Sequence, residues 1–189
     1  MELNLKKNYK LLLSEVDECL SRVDNKEIDG ILNNILHSRQ IILVGAGRMG
    51  LMLQSFCARL NHLGFPAFMA GTTGCPPIGK KDMLLVASSS GETPTVREIA
   101  HIAHKVGAKV IIITANTTST ISRISSGYLY LQAPSSLSGP ESNSLKSLQP
   151  MKSLFEQSLF ILLESMVLSL LERTGQSAED LARRHANLE

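Results

Sequence analysis

Tryptophan is absent from this 189-residue sequence, and aromatic residues make up only 4% of it. The 19 lysines and arginines nearly balance the 17 acidic residues, and the net charge is +2. Domains that bind nucleic acid usually combine a strongly basic surface with aromatic side chains that stack on bases. The composition therefore predicts no nucleic-acid partner.

Cysteine is also scarce, since the chain contains only Cys19, Cys57 and Cys75. An odd number of cysteines without metal-type spacing favours a reduced, cytoplasmic protein over a disulfide framework or a metal site. The start of the chain, MELNLKKNYK, has charges where an export signal needs an apolar core. The longest apolar segment, near 158–171, is interrupted by Glu164, so we expect no membrane span.

Short apolar runs alternate with helical patterns along the chain. Five runs are typical of strands buried on both faces, and they begin near residues 41, 67, 83, 110 and 128. Apolar spacing predicts helices over 4–22, 26–37, 49–63, 94–106 and 119–125. Alternation of this kind indicates βαβ units and a parallel sheet with helices on both sides. We therefore predict one α/β domain over 1–189, a three-layer α-β-α sandwich around a five-stranded parallel sheet.

The last third of the chain predicts a loop followed by a long helix. The loop covers 132–144, which is rich in Ser, Pro and Gly. The helix covers 150–173, with Pro150 suited to its first turn and Gly175 ending it. Its apolar residues surround nearly the whole circumference, so it must be buried on all sides. A subunit interface is the natural place for such a helix in a small domain, and we expect a homo-oligomer.

The segment VGAGRMG follows the first predicted strand. Gly45, Gly47 and Gly50 have the spacing G-x-G-x-x-G. A dinucleotide site needs an acidic residue about twenty positions further on to hold the ribose. No Asp or Glu occurs between residues 30 and 81, which disfavours a dinucleotide. The glycines and the free N–H groups of a helix start favour a phosphate instead. The alternative is a tight turn that binds nothing.

A second polar turn, SSSGETPTV, follows the strand that begins near residue 83. It carries four hydroxyls at the carboxyl end of that strand, on Ser88, Ser89, Ser90 and Thr93. Ligands of open parallel sheets bind outside the carboxyl ends of the strands. Hydroxyls and backbone N–H groups at a helix start make a neutral cradle for phosphate. One helix cap needs only one hydroxyl, so the excess favours a ligand over a purely capping role.

The glycine turn and the serine turn together resemble the sugar isomerase (SIS) domain family, whose members bind phosphosugars. Three further segments narrow the resemblance to the 6-phospho-3-hexuloisomerase family over nearly the whole chain: RLNHLGF (59–65), SLQPMKSLFEQSL (147–159) and RRHANLE (183–189). The resemblance implies interconversion of a 3-hexulose 6-phosphate with fructose 6-phosphate, after formaldehyde is fixed on ribulose 5-phosphate. It also implies a homotetramer with sites near subunit boundaries, and neither a cofactor nor a metal.

Moving a carbonyl between two sugar carbons requires a proton to pass through an enediol, and one positioned carboxylate can do this. Glu156, on the apolar helix, is the predicted base, and Glu92 in the serine turn is the second candidate. His62 is predicted to move protons between sugar oxygens or to assist ring opening. His185 is predicted to reach a neighbouring subunit's site. The alternatives are ion pairs for the acids, a helix-start role for Glu92, a structural role for His62 and a disordered terminus for His185.

The substrate-binding residues are predicted from the two turns. Arg48 is expected to grip phosphate or to stabilise enediolate charge, the alternative being a surface ion pair. The rest of the predicted binding set consists of Gly47, Ser88, Ser90, Gly91, Glu92 and Thr93. Cys75 has no base partner in the sequence and is not expected to be a nucleophile.

Four positions depart from the residues usual in the family. Met49 replaces a Ser and removes a hydroxyl, while Ser89 replaces a Gly and adds bulk near the ligand. Thr72 stands where a Glu is often found, and Lys152, in place of a Gly, adds a positive charge near the opening or points to water. These departures leave two alternatives open, a non-catalytic phosphosugar-binding regulator and an isomerase for another sugar phosphate such as a pentose. The regulator is disfavoured because the helices before residue 40 are too few and not basic enough for a DNA-binding element.

Overall fold

The computed structural model describes residues 4–134 and 145–187. The helices in these ranges are α1 Leu5–Ser21, α2 Asn25–His37, α3 Arg48–His62, α4 Pro94–Lys105, α5 Thr120–Ile124, α6 Ser153–Thr174 and α7 Ala178–Ala182. The strands are β1 Ile41–Gly45, β2 Ala67–Met69, β3 Met83–Ala87, β4 Lys109–Thr114 and β5 Gly127–Tyr130. A 3₁₀ turn, Pro150–Lys152, precedes α6.

All five strands pair in parallel, in the order β2-β1-β3-β4-β5. Gly45, the last residue of β1, lies opposite Ala87, the last residue of β3. Ala87 in turn lies opposite Ile113 of β4. The predicted five-stranded parallel sheet is confirmed, and the register brings the segments that follow β1, β3 and β4 to one edge of it.

Each face of the sheet carries its own apolar cluster. On one face Leu43 and Leu85 pack with residues of α1, α2, α3 and α6, including Phe56 and Phe155. On the other face the alternate residues of the same strands, such as Ile42, pack against α4 and α5. The helices therefore form a layer on each side of the sheet, which confirms the α-β-α arrangement.

The start of α6 differs from the prediction. Met151 has φ 50° and ψ 31°, in the left-handed region that residues other than glycine rarely adopt. The chain therefore makes a separate 3₁₀ turn, and α6 begins at Ser153. The prediction of one continuous helix from residue 150 is wrong for this reason. The predictions made for the Lys152 side chain and for residues 135–144 fall outside the described part of the chain.

Helix α6 is buried on one side within the protomer and exposed on the other. Its residues Phe160, Ile161 and Leu168 are 36%, 44% and 63% exposed, so the prediction of burial on all sides is not met within one chain. By length and hydropathy alone α6 is long and apolar enough to cross a membrane. Half of its most apolar window is buried in the fold, however, and the core helix of a globular domain meets the same criteria.

The glycine turn brings β1 and α3 unusually close together. A Cβ added to Gly50 would lie 2.7 Å from the carbonyl oxygen of Gly45, closer than real Cβ contacts. A Cβ added to Gly45 would lie 3.1 Å from the Gly50 nitrogen. Gly47, the N-cap residue of α3, has φ 57°, and no side chain caps the helix there. Two of the three glycines therefore serve strand–helix packing, and the third supplies the turn.

We predict that Gly50→Ala lowers the free energy of unfolding by about 1–3 kcal/mol, because the added methyl group forces β1 and α3 apart. Gly30→Ala is the matched control, since Gly30 is also helical and a Cβ there would meet nothing within 4 Å. Alanine's better helix propensity should stabilise that variant by up to about 1 kcal/mol. Urea unfolding followed by circular dichroism measures both changes. Destabilisation of equal size in the two variants would contradict the packing explanation.

Candidate active site

The serine turn and the loop after β4 fit closely together at the carboxyl edge of the sheet. Gly91 has φ 64°, and a Cβ there would lie 2.0 Å from the hydroxyl oxygen of Ser119. Ser119 is itself buried and caps α5 by accepting a hydrogen bond from the Ser122 N–H at 3.1 Å. Glycine is therefore required at position 91 for both its backbone conformation and its lack of a side chain.

The hydroxyls of the serine turn are used partly to hold the turn. The Ser88 hydroxyl accepts a hydrogen bond from the Gly91 N–H at 3.1 Å and lies 3.3 Å from the Thr93 hydroxyl. The Ser90 hydroxyl accepts from the Glu92 N–H at 3.2 Å. Thr93 occupies the N-cap position of α4, but its side chain makes no capping hydrogen bond. The start of α4 is thus arranged so that an anion can accept from its first N–H groups.

The loop TANTTST, residues 114–120, forms a third wall that the sequence analysis did not identify. The Asn116 side-chain amide donates to the Ser90 carbonyl at 3.2 Å. The Thr114 hydroxyl donates to the Ser89 carbonyl at 3.3 Å. The loop is rich in hydroxyls and follows a buried strand, which is the same signal that identified the serine turn. The same search for hydroxyl residues after a buried strand, made at the end of β4, predicts this loop as well.

Glu92 is occupied by contacts with α5. One carboxylate oxygen accepts from the Thr120 N–H at 2.6 Å, and the other lies 3.8 Å from Arg97. The hydrogen bond from the Thr120 backbone is the main cause that lowers the pKa of Glu92. An ionised carboxylate that accepts a hydrogen bond from the first N–H of a helix is a weaker candidate for proton transfer than an acid that faces a groove.

Glu156 faces such a groove and pairs with Arg48. Its Oε2 atom contacts Nε of Arg48 at the start of α3, as an ion pair without hydrogen-bond alignment. The Glu156 side chain is only 13% exposed, whereas that of Arg48 is 61% exposed. Both line a groove of about 240 Å³ between α1, α3 and α6, with apolar neighbours that include Leu12, Met52 and Phe160. A carboxylate with little access to water, beside a fixed positive charge, suits proton transfer at carbon.

His62 and His185 meet at the other end of α3. Their ring centroids are 5.0 Å apart. The Arg184 guanidinium donates to the His62 carbonyl at 2.9 Å, which holds the C-terminal segment against the end of the helix. Since α3 has 15 residues, its two ends are about 20 Å apart. Within one protomer the predicted catalytic residues therefore form two separate groups, one around Glu156 and one around the histidines.

Three of the positions that depart from the family pattern have clear structural surroundings. Met49 packs against the larger apolar cluster, so it contributes to the core. Thr72 is exposed in the loop after β2, where its hydroxyl donates to the Met69 carbonyl at 2.8 Å. Ser89 is 5% exposed, and its carbonyl accepts from the Ala115 N–H at 3.1 Å.

The three cysteines are free thiols. Burial raises the pKa of the Cys57 thiol to about 11. Burial also raises the pKa of Cys75. Because the thiolate is the reactive form, the raised pKa of Cys75 agrees with the expectation that this residue is not a nucleophile.

We predict that Glu92→Gln lowers the free energy of unfolding by about 1 kcal/mol at neutral pH, because the Thr120 N–H loses a charged acceptor. The pKa of Glu92 in the folded protein lies below its ordinary value of 4.5, so this stabilisation is present above pH 4.5. It is lost as the pH falls through the folded-state pKa. Urea unfolding at neutral and acid pH should show the difference from wild type shrinking with acid. Glu98→Gln, at an exposed site on α4, is the control, and a pH-independent difference at position 92 would contradict the charged bond.

Comparison with known proteins gives one family. The SIS domain family model matches residues 34–161. The 3-hexulose-6-phosphate isomerase of Bacillus subtilis (strain 168) is 36% identical over 178 residues, which cover 94% of this chain and 95% of that protein. The protein of the same name from Mycobacterium gastri is 36% identical over 182 residues, covering 96% and 90%.

Among solved structures, a hypothetical protein from Methanococcus jannaschii, whose structure infers a function of 3-hexulose-6-phosphate isomerase, has a TM-score of 0.84 at 23% identity. That likeness covers 97% of this chain and 99% of the other, and it supports the fold. With a five-stranded parallel sheet, both predicted turns at its carboxyl edge and a family match over most of its length, the chain belongs to the SIS domain family.

Proposed function

We propose that this protein is a phosphosugar isomerase that interconverts a 3-hexulose 6-phosphate and fructose 6-phosphate. The observation that carries the proposal is the largely buried carboxylate of Glu156, paired with Arg48 in a groove that begins at the glycine turn. Relatives that share most of the chain's length are named for this reaction.

The substrate's phosphate is proposed to bind at the serine turn. Ser88, Ser90 and Thr93 supply hydroxyls there, and Gly91 allows the backbone to turn toward the ligand. The start of α4 adds N–H groups and the positive end of its dipole. Neutral donors of this kind bind a phosphate without an obligatory lysine or arginine.

Glu156 is proposed to carry the proton between the two sugar carbons. It takes the proton from C2 of the 3-hexulose while the C3 oxygen gains one, which forms the enediol. It then returns the proton to C3 while the C2 oxygen loses its own, which gives the C2 ketone of fructose 6-phosphate. Arg48 is placed to stabilise the negative charge that develops on the enediol oxygens.

We further propose a homotetramer in which His62 and His185 of one subunit serve the Glu156 site of another. The two groups are about 20 Å apart within a protomer, too far for direct action on one sugar. Three apolar side chains that line the Glu156 groove are exposed, on Leu13, Phe160 and Ile161. Exposed apolar side chains grouped around a groove in this way are typical of a subunit interface.

The proposal also includes the domain organisation, the cellular location and the pathway of the enzyme. Residues 1–189 act as a single SIS domain in the cytoplasm, within the ribulose monophosphate pathway. The free cysteines are consistent with a reducing compartment.

The direct test supplies enzymatically generated 3-hexulose 6-phosphate and follows fructose 6-phosphate by a coupled readout. Turnover would support the proposal. If there is no turnover but fructose 6-phosphate still raises the melting temperature, the protein is a phosphosugar-binding regulator or acts on another sugar. Turnover of pentose phosphates alone would identify the protein as an isomerase of pentose phosphates.

We predict that Glu156→Gln lowers kcat by a factor of about 10²–10⁴ while fructose 6-phosphate still raises the melting temperature. The amide has nearly the same shape but accepts no proton. Glu164→Gln is the matched control, because Glu164 lies on the same helix, half-buried, and pairs only loosely with Arg59 at 3.9 Å. Full activity of Glu156→Gln would remove Glu156 from the mechanism.

We also predict that two inactive variants, Glu156→Gln and His62→Gln, restore activity when they are unfolded together and refolded as mixed oligomers. If each site takes Glu156 from one subunit and His62 from its neighbour, an equal mixture regenerates about a quarter of the native sites. Each variant refolded alone is the control. Absence of restored activity in oligomers shown to be mixed would contradict a site that is shared between two subunits.

A further inference from the structure

A basic pocket of about 350 Å³ lies at the amino edge of the sheet, opposite the edge that holds the serine turn. Its basic lining residues are His37, Arg39, Lys80, Lys81 and Lys109. They come from the segments that enter β1, β3 and β4, three neighbouring strands of the sheet. The pocket is therefore separate from the proposed active site.

The backbone brings these cations together. The Arg39 N–H donates to the Lys81 carbonyl at 2.9 Å, and the Lys109 N–H donates to the Asp82 carbonyl at 3.0 Å. The stem of Lys80 lies along Gly107, where an added Cβ would stand 3.1 Å from its Cγ. The strand register and this contact thus hold positive groups from three segments around one cavity.

The acidic residue beside the pocket, Asp82, already accepts hydrogen bonds on both of its carboxylate oxygens. Asp82 is completely buried and accepts from Arg39 Nε at 2.8 Å and Nη2 at 2.7 Å. It also accepts from the Gly79 N–H at 2.7 Å and the Gln40 side chain at 3.1 Å. The hydrogen bond from Arg39 is the main cause that lowers the pKa of Asp82. Asp82 therefore neutralises Arg39 and leaves no charge for the lysines.

The three lysines remain without a counter-ion. Among the residues described by the structure, Lys80, Lys81 and Lys109 form no ion pair. All three are exposed, and the preceding stretch from residue 30 to residue 81 contains no acid. The cavity consequently has three unbalanced positive charges on its walls.

Helix dipoles do not account for these lysines. Cations are favoured near helix C-termini, and the ends of α2 and α4 lie at this edge. Those helices already carry His37 and the pair His104 and Lys105 in their last turns. Lys80, Lys81 and Lys109 lie before or at strand starts, so they are additional to the basic residues at the helix ends.

We propose that the basic pocket binds a small polyanion with at least two phosphate groups, independently of the sugar phosphate at the serine turn. Three lysines match the charge of such a ligand, and the volume lies within the range of small-molecule sites, about 300–1,000 Å³. Nη1 of Arg39 is left for a further acceptor, since Nε and Nη2 bind Asp82. No Phe, Tyr or Trp is among the described residues that line the pocket, so the phosphates rather than a nucleobase carry recognition.

Isothermal titration of the full-length protein with pyrophosphate, and separately with fructose 1,6-bisphosphate, tests this site. The pocket variant combines Lys80→Gln, Lys81→Gln and Lys109→Gln. The matched control combines Lys6→Gln, Lys7→Gln and Lys10→Gln, which removes the same charge from exposed positions of α1. We expect at least about a tenfold loss of affinity in the pocket variant and unchanged affinity in the control. The probe that binds more tightly identifies an inorganic or a sugar source.

Three results would overturn the site. They are failure of the wild type to bind either probe, equal weakening in both triple variants, and loss of binding in Ser88→Ala with retention in the pocket variant. The last result would place the probe at the serine turn. Circular dichroism melting shows that each variant is folded. Because the readout is binding, failure of this proposal leaves the isomerase proposal untouched, and the reverse also holds.

Discussion

The parallel pairing of β1, β3 and β4 is the constraint on which the site depends. Parallel strands all end at the same edge, so the glycine turn, the serine turn and the loop after β4 are brought together by the sheet itself. Close contacts then fix the turns against their neighbours, with Gly50 against Gly45 and Gly91 against Ser119. A small shift in register between β3 and β4 would separate the serine turn from the loop after β4 that it packs against.

Glu92 and Glu156 are two acids near this edge whose surroundings suit them to different roles, one structural and one chemical. Glu92 accepts a backbone hydrogen bond from α5 and is held in its ionised form. Glu156 instead faces an apolar groove and meets only the guanidinium of Arg48 among the described charged groups. The first arrangement holds a loop in place, and the second leaves a carboxylate in contact with space that a sugar can enter.

The fold and both turns were predictable because their signals are local. The strands are continuous apolar runs, and the two turns combine glycines or hydroxyls with the end of a strand. The pairing of Arg48 with Glu156 was not predictable, because it joins residues far apart in the chain through the packing of α3 on α6. Apolar periodicity also gave no sign of the left-handed backbone conformation of Met151, because that conformation depends on how the chain enters α6. The distance between His62 and Glu156 likewise depends on the tertiary structure, because Glu156 packs beside Arg48 at the start of α3 and His62 lies at its end.

Proton NMR of fructose 6-phosphate incubated with the protein in D₂O tests the proposed enediol chemistry most directly. Each passage through the enediol removes the proton from C3 and exposes it to exchange with solvent while it is held by the carboxylate. We expect signals of a second ketose phosphate to grow while the C3 proton signal of fructose 6-phosphate declines. A spectrum that stays unchanged with folded protein present would contradict the isomerase assignment.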